Sequence, residues 1–130
     1  MIVLDASATI DWLLQTTAGR EIEHRIYGQH ETLHAPHLLD LEVAQVLRRL
    51  VREGTISSTR ADQAIDDLRD LRVARYPHVP FLDRIWQLRQ NLSAYDAAYV
   101  ALAEGLACPL VTRDARLAET SGHGVRIETF

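Results

Sequence analysis

Four acidic residues in apolar surroundings are the part of the sequence that most clearly predicts chemistry. Asp5 and Asp114 follow short apolar runs, whereas Glu42 and Asp96 lie within largely apolar stretches of helical periodicity. Carboxylates that converge in one cleft repel one another, and a divalent cation relieves that repulsion. Ligand sets made only of oxygen select Mg²⁺ or Mn²⁺ rather than zinc. Such an ion binds phosphate oxygens and activates water, so the four acids, if they meet, predict a site for phosphodiester hydrolysis.

Each of these acids, taken singly, also has a structural interpretation. Asp5 and Asp114 can cap the helices that follow them, and Glu42 can pair with an arginine. Caps and ion pairs are far more common than catalytic groups. The hypothesis of a metal site therefore depends on the four acids occurring together.

The elements that must position these acids alternate along the chain. Apolar runs and periodicity predict strands at 2–4, 32–35, 73–76, 109–112 and 125–128, and helices at 7–14, 20–27, 38–53, 58–71, 83–92, 94–106 and 115–119. This alternation predicts an α/β fold with a central parallel sheet of four or five strands, flanked by helices on both faces. No repeat, linker or low-complexity tract interrupts residues 1–130, which predicts one domain. Ligands of such sheets bind beyond the carboxyl ends of the strands, where Asp5 and Asp114 are expected.

Charge and composition bear on the surface of the protein and on its place in the cell. The formal net charge is −4, and without the four proposed site acids 14 acidic residues remain against 14 basic ones, all of them arginine. A generally basic surface for nucleic acid is therefore excluded. A single cysteine and the lack of an apolar leader predict a cytoplasmic protein. No apolar stretch is long enough to predict a membrane span.

The segments around the acids resemble the motifs of PIN-domain nucleases. Val3-Leu-Asp-Ala-Ser-Ala is similar to their opening motif, and Glu42 in a leucine-rich helix is similar to their second acid. Tyr95-Asp-Ala-Ala-Tyr-Val-Ala-Leu-Ala-Glu and Pro109-Leu-Val-Thr-Arg-Asp-Ala-Arg-Leu resemble their third and fourth motifs. The resemblance covers essentially the whole chain, and its order and spacing most resemble the VapC toxins of bacterial toxin–antitoxin pairs.

The resemblance implies a Mg²⁺- or Mn²⁺-dependent endoribonuclease, a homodimer that a cognate antitoxin neutralises. Carried over by motif, the metal-binding and catalytic acids are Asp5, Glu42, Asp96 and Asp114. Ser7 and Thr112 are implied to be hydroxyls that orient a carboxylate or a water. Some PIN domains carry a further acid after the fourth, where this chain has Ala115 and Arg116. A fully occupied second metal site is therefore not expected.

Several other polar residues lie near the proposed acids or could mimic a site. Arg113 and Arg116 flank the fourth acid and are candidates for contacting RNA phosphates. The basic edge formed by Arg48, Arg49 and Arg52 is interpreted as a solvated helix face. Asp11 is expected to face solvent, and the six scattered histidines are expected at the surface.

The same part of the sequence argues against three other classes of protein. A haloacid-dehalogenase-type phosphatase requires a second aspartate where this chain has Ser7, and a response-regulator receiver requires a lysine, which the chain lacks. Nucleotide-binding folds require a glycine-rich loop after the first strand, where Asp-Ala-Ser-Ala-Thr follows instead. The remaining alternative is a catalytically silent PIN-like module that binds RNA or a protein without cleavage.

Overall fold

The computed structural model describes residues 1–130 as alternating strands and helices. The strands are β1 (Ile2–Leu4), β2 (Leu33–Pro36), β3 (Val73–Tyr76), β4 (Leu110–Thr112) and β5 (Ile127–Thr129). The helices are α1 (Ala6–Leu13), α2 (Thr17–Gly28), α3 (Leu38–Arg52), α4 (Ser58–Asp70), α5 (Leu82–Gln87), α6 (Ala94–Leu106) and α7 (Ala115–Ala118), with a 3₁₀ turn at Val79–Phe81. The predicted α/β fold with a parallel sheet of four or five strands is confirmed.

All five strands form one parallel sheet in the order β3-β2-β1-β4-β5. The chain builds outward from β1 to β3, then returns to the centre and builds outward on the other side. The strand order therefore reverses between β1 and β4, which are direct neighbours. In open α/β sheets, ligands bind in the crevice outside the carboxyl ends of the strands at this reversal.

The core surrounds the central strands and the middle of α6. Every residue of β1 and β4 is buried, as the continuous apolar sequence of a fully covered parallel strand predicts. Helix α6 is buried from Ala97 to Ala103, and four of these seven residues are alanines. Small side chains let the helix approach the sheet closely, which brings the start of α6 near the carboxyl ends of β1 and β4.

Side-chain caps fix the starts of five helices. A backbone N–H in the first turn of α1, α2, α4, α6 and α7 donates to the side chain of Asp5, Thr16, Ser57, Ser93 and Asp114 respectively. Such caps satisfy N–H groups that have no partner inside the helix. The cap at Thr16 explains why α2 begins earlier than the predicted helix at 20–27.

Two further boundaries differ from the prediction. The helix predicted at 83–92 ends at Gln87, because the following N–H groups bond three residues back, from Arg89 to Trp86 and from Asn91 to Leu88. The last strand occupies 127–129 rather than 125–128, where its register with β4 is fixed by backbone pairing. None of the helices has both the length and the apolar character that crossing a bilayer requires.

Candidate active site

The four acids predicted from the sequence line one pocket at the carboxyl edge of the sheet. The pocket has a volume of about 350 Å³ and is lined by Asp5, Ala6, Ser7, Glu42, Gln45, Val46, Asp96, Tyr99 and Asp114. Asp5 follows β1 and Asp114 follows β4, on either side of the point where the strand order reverses. Glu42 comes from the second turn of α3 and Asp96 from the first turn of α6. The fold thus brings together side chains separated by up to 109 positions in the chain.

Asp5 is the one buried acid of the pocket, and three different residues hold its carboxylate. Its Oδ1 accepts hydrogen bonds from the Ser7 hydroxyl at 2.7 Å and from the Ala8 N–H at 2.8 Å. The Thr112 hydroxyl donates to its other oxygen. Asp5 is therefore both the cap of α1 and a site acid, so the two interpretations of this residue do not compete.

The two hydroxyl groups also connect the loops after β1 and β4. The Arg113 N–H donates to the Ser7 hydroxyl at 2.9 Å, and the Asp114 N–H donates to the Thr112 hydroxyl at 2.9 Å. Each hydroxyl therefore donates to Asp5 and accepts from the β4–α7 loop. This arrangement fixes Asp5 and Asp114 relative to each other.

Glu42 has a partner that the sequence did not predict. The Tyr99 hydroxyl, which α6 carries into the pocket, donates to Glu42 Oε2 at 2.5 Å. Tyr99 is almost completely buried, with 2% of its surface exposed. The suggested pairing of Glu42 with an arginine is absent, and the carboxylate is oriented by a neutral donor instead.

Asp96 and Asp114 differ in how far their oxygens are already engaged. The Asp96 carboxylate accepts no hydrogen bond and forms no ion pair; only its N–H is used, as a donor to the Ser93 cap. Asp114 accepts from the Arg116 N–H and pairs with the Arg116 guanidinium at 3.0 Å, so it caps α7 as well. Asp96 is therefore the acid whose oxygens are freest for a ligand.

The electrostatics of the pocket show uncompensated negative charge. Burial raises the pKa of Asp5, opposed by its three hydrogen bonds and assisted by the charge of Asp96. Burial likewise raises the pKa of Glu42, opposed by the Tyr99 hydroxyl and assisted by the charges of Asp96 and Asp5. In Asp114 the hydrogen bonds of Arg116 lower the pKa. The ionised forms of these acids therefore need a nearby positive charge. Only Asp114 has one, from Arg116.

These residues fit a hydrated divalent cation better than a closed protein cage. No three His, Cys, Asp or Glu side chains are arranged closely enough to hold an ion by themselves. Mg²⁺ commonly keeps several waters and binds through one or two carboxylates, in addition to substrate phosphates. The pocket offers such an ion oxygen donors and a free Asp96 carboxylate, and the ion would favour the ionised forms of Asp5 and Glu42, whose pKa values burial raises.

The structure places the two candidate arginines of the site in ion pairs. Arg113 pairs with Asp11 at 2.6 Å, and Arg116 pairs with Asp114. The expectation that Asp11 faces solvent was therefore wrong, because this carboxylate holds the arginine that precedes Asp114. Sequence spacing could not reveal the pair, since its partners are 102 residues apart.

One histidine also departs from the expectation that all six are at the surface. His34 lies in the middle of β2 and is 8% exposed. Its ring nitrogens contact the Thr32 hydroxyl at 3.0 Å and the Tyr76 hydroxyl at 2.8 Å. Neighbouring hydroxyls therefore satisfy the imidazole inside the sheet, and His34 is not part of the acid pocket.

Two pocket residues lacked a clear signal in the sequence. Tyr99 is three positions after Asp96 and Gln45 is three positions after Glu42, so each lies on the same helix face as its acid. That spacing predicts pocket residues only once it is known that the face of α3 with Glu42 lies against the face of α6 with Asp96. An apolar helix accounts for the buried ring of Tyr99 but not for the contact of its hydroxyl with Glu42.

Comparison with known proteins identifies the family. The sequence model described as PIN domain matches residues 2–122. This chain belongs to the PIN domain family. Among PIN-domain relatives, ribonuclease VapC9 of Mycobacterium tuberculosis (strain ATCC 25618 / H37Rv) is 48% identical over 120 residues, covering 92% of this chain and 91% of the relative. The predicted resemblance to PIN-domain proteins of the VapC type is confirmed.

Solved structures share the same fold at lower sequence identity. PAE2754 from Pyrobaculum aerophilum has a TM-score of 0.72 at 24% identity and covers 97% of this chain and 81% of its own. A structure of VapBC2 from Rickettsia felis bound to a DNA fragment from their promoter has a TM-score of 0.67 at 12% identity, covering 99% and 98%. At these identities the likeness shows the PIN fold.

Proposed function

We propose that this protein is a divalent-metal-dependent endoribonuclease that acts as the toxin of a toxin–antitoxin pair. The observation that carries the proposal is the convergence of Asp5, Glu42, Asp96 and Asp114 in one pocket of a PIN-domain chain. The relatives named as VapC ribonucleases at 44–48% identity support RNA as the substrate. Nucleases of this kind depend on a divalent metal, and the oxygen-only donors of the pocket favour Mg²⁺ or Mn²⁺.

In this proposal the metal-binding acids are Asp5, Glu42, Asp96 and Asp114. When bound, the ion supplies a positive charge for the phosphate oxygens and lowers the pKa of a water. The structure supports unequal roles for the four acids. Asp5 is prepositioned by three hydrogen bonds, and Glu42 is oriented by Tyr99.

The chain's own groups then account for the handling of protons. Hydrolysis forms a bond from a water oxygen to phosphorus and breaks the bond from phosphorus to the leaving ribose oxygen. The attacking water gives up one proton, and the leaving oxygen takes up one proton from solvent water. Asp96 is the proposed acceptor of the proton from the attacking water, through the oxygen that does not bind the ion, because no protein group donates to its carboxylate whereas both oxygens of Asp5 are occupied by donors. Ser7 and Thr112 act by holding Asp5 in place, and thereby act on the reaction indirectly.

The two arginines beside the fourth acid have a conditional role. Arg113 and Arg116 remain candidates for contacting RNA phosphates, but both guanidiniums are paired with carboxylates in this structure. The Arg116 side chain is 90% exposed and can exchange Asp114 for a phosphate at little cost. The Arg113 pair with Asp11 is the more buried one and keeps the β4–α7 loop against α1.

The proposed partners follow from the family and from the charge of the pocket. A cognate antitoxin is proposed to present an arginine to the acids and to displace the metal, since a guanidinium pairs strongly with carboxylates. A homodimer and a cytoplasmic location complete the proposal. A purified complex with the antitoxin is expected to lose nuclease activity; a fully active complex would contradict this part.

The nuclease proposal is tested by RNA cleavage with purified protein. Wild-type protein should cleave RNA with Mg²⁺ or Mn²⁺ and lose activity with a chelator. Replacing partners of metal ligands typically costs 10–100-fold, so Asp5→Asn and Asp96→Asn, which change proposed ligands, should lose at least ~100-fold in kcat/KM. Asp62→Asn is the matched control, because Asp62 is exposed on α4 and has no ion pair.

The same experiment separates the proposal from the catalytically silent alternative. Metal-bound protein that binds RNA without cleaving it would support the silent module. Cleavage of equal rate in wild type, Asp5→Asn and Asp96→Asn would show that a contaminating nuclease produced the activity. Either result would overturn the proposed function.

A further inference from the structure

A cleft rich in arginine lies next to the acid pocket on α3. It has a volume of about 410 Å³ and is lined by Gln45, Arg48, Arg49, Arg52 and Glu53. Gln45 lines both this cleft and the acid pocket, so the two adjoin each other. The interpretation of this edge as an ordinary solvated helix face therefore needs to be reconsidered.

Helix geometry places the basic side chains on a path that begins at a site acid. With 3.6 residues per turn, Glu42, Gln45, Arg49 and Arg52 occupy positions i, i+3, i+7 and i+10, which form one stripe, and Arg48 borders it. Ten residues of helix span about 15 Å, which exceeds the spacing between adjacent phosphates of a nucleic acid strand. A strand with one phosphate at the acids can therefore place others along this stripe.

The guanidiniums of the cleft are unusually free of partners. Most arginines in this chain pair with a carboxylate, as Arg25, Arg75 and Arg84 do, or donate to a backbone carbonyl, as Arg20 and Arg60 do. Arg49 has only an exposed contact of 3.9 Å with Glu53. Arg48, Arg52 and Arg72 are the arginines without any hydrogen bond or ion pair, and two of these three lie in the cleft.

The chemistry of the cleft favours a polyanion over a protein surface. None of its five lining residues is hydrophobic, whereas protein–protein interfaces have an apolar centre with charged residues depleted there. Arginine binds phosphate through two parallel hydrogen bonds. A chain of net charge −4 with an acidic pocket also needs a local positive field to attract RNA.

We propose that Arg48, Arg49 and Arg52 form a phosphate-binding track that guides single-stranded RNA along α3 into the acid pocket. This inference rests on the proposed nuclease function and adds the path of the substrate. Gln45, at the junction, is placed to hydrogen-bond the RNA between the track and the acids.

The track is tested by RNA binding in a form of the protein that does not cleave. In an Asp96→Asn background with Mg²⁺, the affinity for a fluorescently labelled single-stranded RNA is measured at several salt concentrations. Arg48→Gln and Arg52→Gln should each bind several-fold more weakly, and each should reduce the slope of log K against log salt by about 0.7, the value for one lost phosphate contact. Arg72→Gln makes the same charge change at an exposed, unpaired arginine outside the cleft and should match the background protein.

Cleavage assays in the otherwise wild-type protein distinguish the two proposals. Arg52→Gln should raise KM and change kcat little, because the track binds the substrate away from the acids. Failure of the wild type to cleave any RNA would overturn the proposed function itself. Active protein in which Arg48→Gln and Arg52→Gln keep the affinity and salt slope of Arg72→Gln would overturn the track alone. Unchanged RNA binding together with weakened antitoxin binding would also overturn it, in favour of an acidic peptide as the occupant.

Discussion

Tyr99 is a single residue whose hydroxyl connects the core to the acid pocket. Its ring is part of the buried hydrophobic core, while its O–H donates to Glu42. Tyr99→Phe keeps the ring and removes the donor that favours the ionised carboxylate, so the pKa of Glu42 should rise further. We expect about a tenfold loss of kcat and weaker binding of metal, by analogy with other groups that orient metal ligands.

Two measurements and one control test this expectation. Metal affinity is read from the binding of Mn²⁺ by electron paramagnetic resonance, and activity from RNA cleavage at increasing metal concentration. Tyr95→Phe is the control, since Tyr95 is 62% exposed and makes no hydrogen bond. Equal Mn²⁺ affinity in Tyr99→Phe, Tyr95→Phe and wild type would show that the hydroxyl does not position Glu42.

At the scale of residues, the sequence predicts the acids better than their partners. Asp5 and Asp96 are recognisable because a carboxylate in an apolar stretch requires a reason. The partners of these acids are less visible, because a tyrosine or threonine in an apolar stretch is satisfied by many different neighbours. The pairing of Asp11 with Arg113 was missed for the same reason: a charged residue on a short helix is usually solvated.

The packing of α1 against α2 is the element-scale feature most sensitive to a small change. A Cβ at Gly19 would lie 1.9 Å from the Asp11 carbonyl oxygen, so only glycine allows the two helices to approach this closely. Gly19→Ala must move α2 away from α1 and should lower the free energy of unfolding by about 1–3 kcal/mol. Chemical denaturation measures the effect.

Gly28→Ala is the control for this prediction within the same helix. A Cβ at Gly28 would meet nothing closer than 3.9 Å, in the flexible His24 side chain. Alanine has the higher helix propensity, so Gly28→Ala should leave stability unchanged or raise it by less than about 1 kcal/mol. Equal effects of the two substitutions would mean that α1 and α2 are not in close contact.

The bounds of helices and strands were predictable where a local sequence signal marks them. They were less predictable where tertiary packing determines where an element ends. Strands β1 and β4 lie close to the predicted ranges because continuous apolar runs between helices have few alternatives. The end of α5 was not predicted, because residues 88–92 keep an apolar periodicity although the N–H groups of Arg89 and Asn91 bond three residues back. The start of α2 was missed because Thr16 was not recognised as a cap.

At the scale of the whole molecule, the acid pocket links metal binding to stability and pH. The raised pKa values of Asp5 and Glu42 mean that the folded, metal-free protein holds more protons than the unfolded chain between the unfolded and folded pKa values. The two acids therefore do not lower the free energy of unfolding at pH values below their pKa in the unfolded chain. Above their pKa in the folded protein they lower it by the full amount. A divalent cation favours the ionised forms and relieves this effect.

The thermal stabilisation by Mg²⁺ should therefore depend on pH. A ligand at 100 times its Kd stabilises by about 2.7 kcal/mol, which corresponds to a rise of several degrees in Tm. The rise should be largest above the folded pKa of both acids and should shrink as pH falls through those values, because protons compete with the metal. Melting curves with and without Mg²⁺ at matched ionic strength measure it; a rise independent of pH would contradict the linkage.

The overall architecture was predictable because it depends on the alternation of strands and helices along the chain rather than on individual side-chain contacts. A parallel sheet requires helical crossovers, and the reversal of strand order places β1 beside β4. The convergence of Asp5 with Asp114 follows from that topology. The relative orientation of α3 and α6, which brings Glu42 to Tyr99, depends on side-chain packing that no local pattern specifies.

The two tryptophans differ in exposure, so their fluorescence can be separated by substitution. Trp12 is buried in α1, where its indole N–H donates to Glu23, whereas Trp86 is 67% exposed on α5 with the Arg89 guanidinium over its ring. Replacing Trp86 with phenylalanine leaves one indole, on the helix that Asp5 caps. Its fluorescence emission then comes from α1 alone, and a change in emission on addition of Mg²⁺ without RNA would show that a cation at Asp5 alters the environment of this helix.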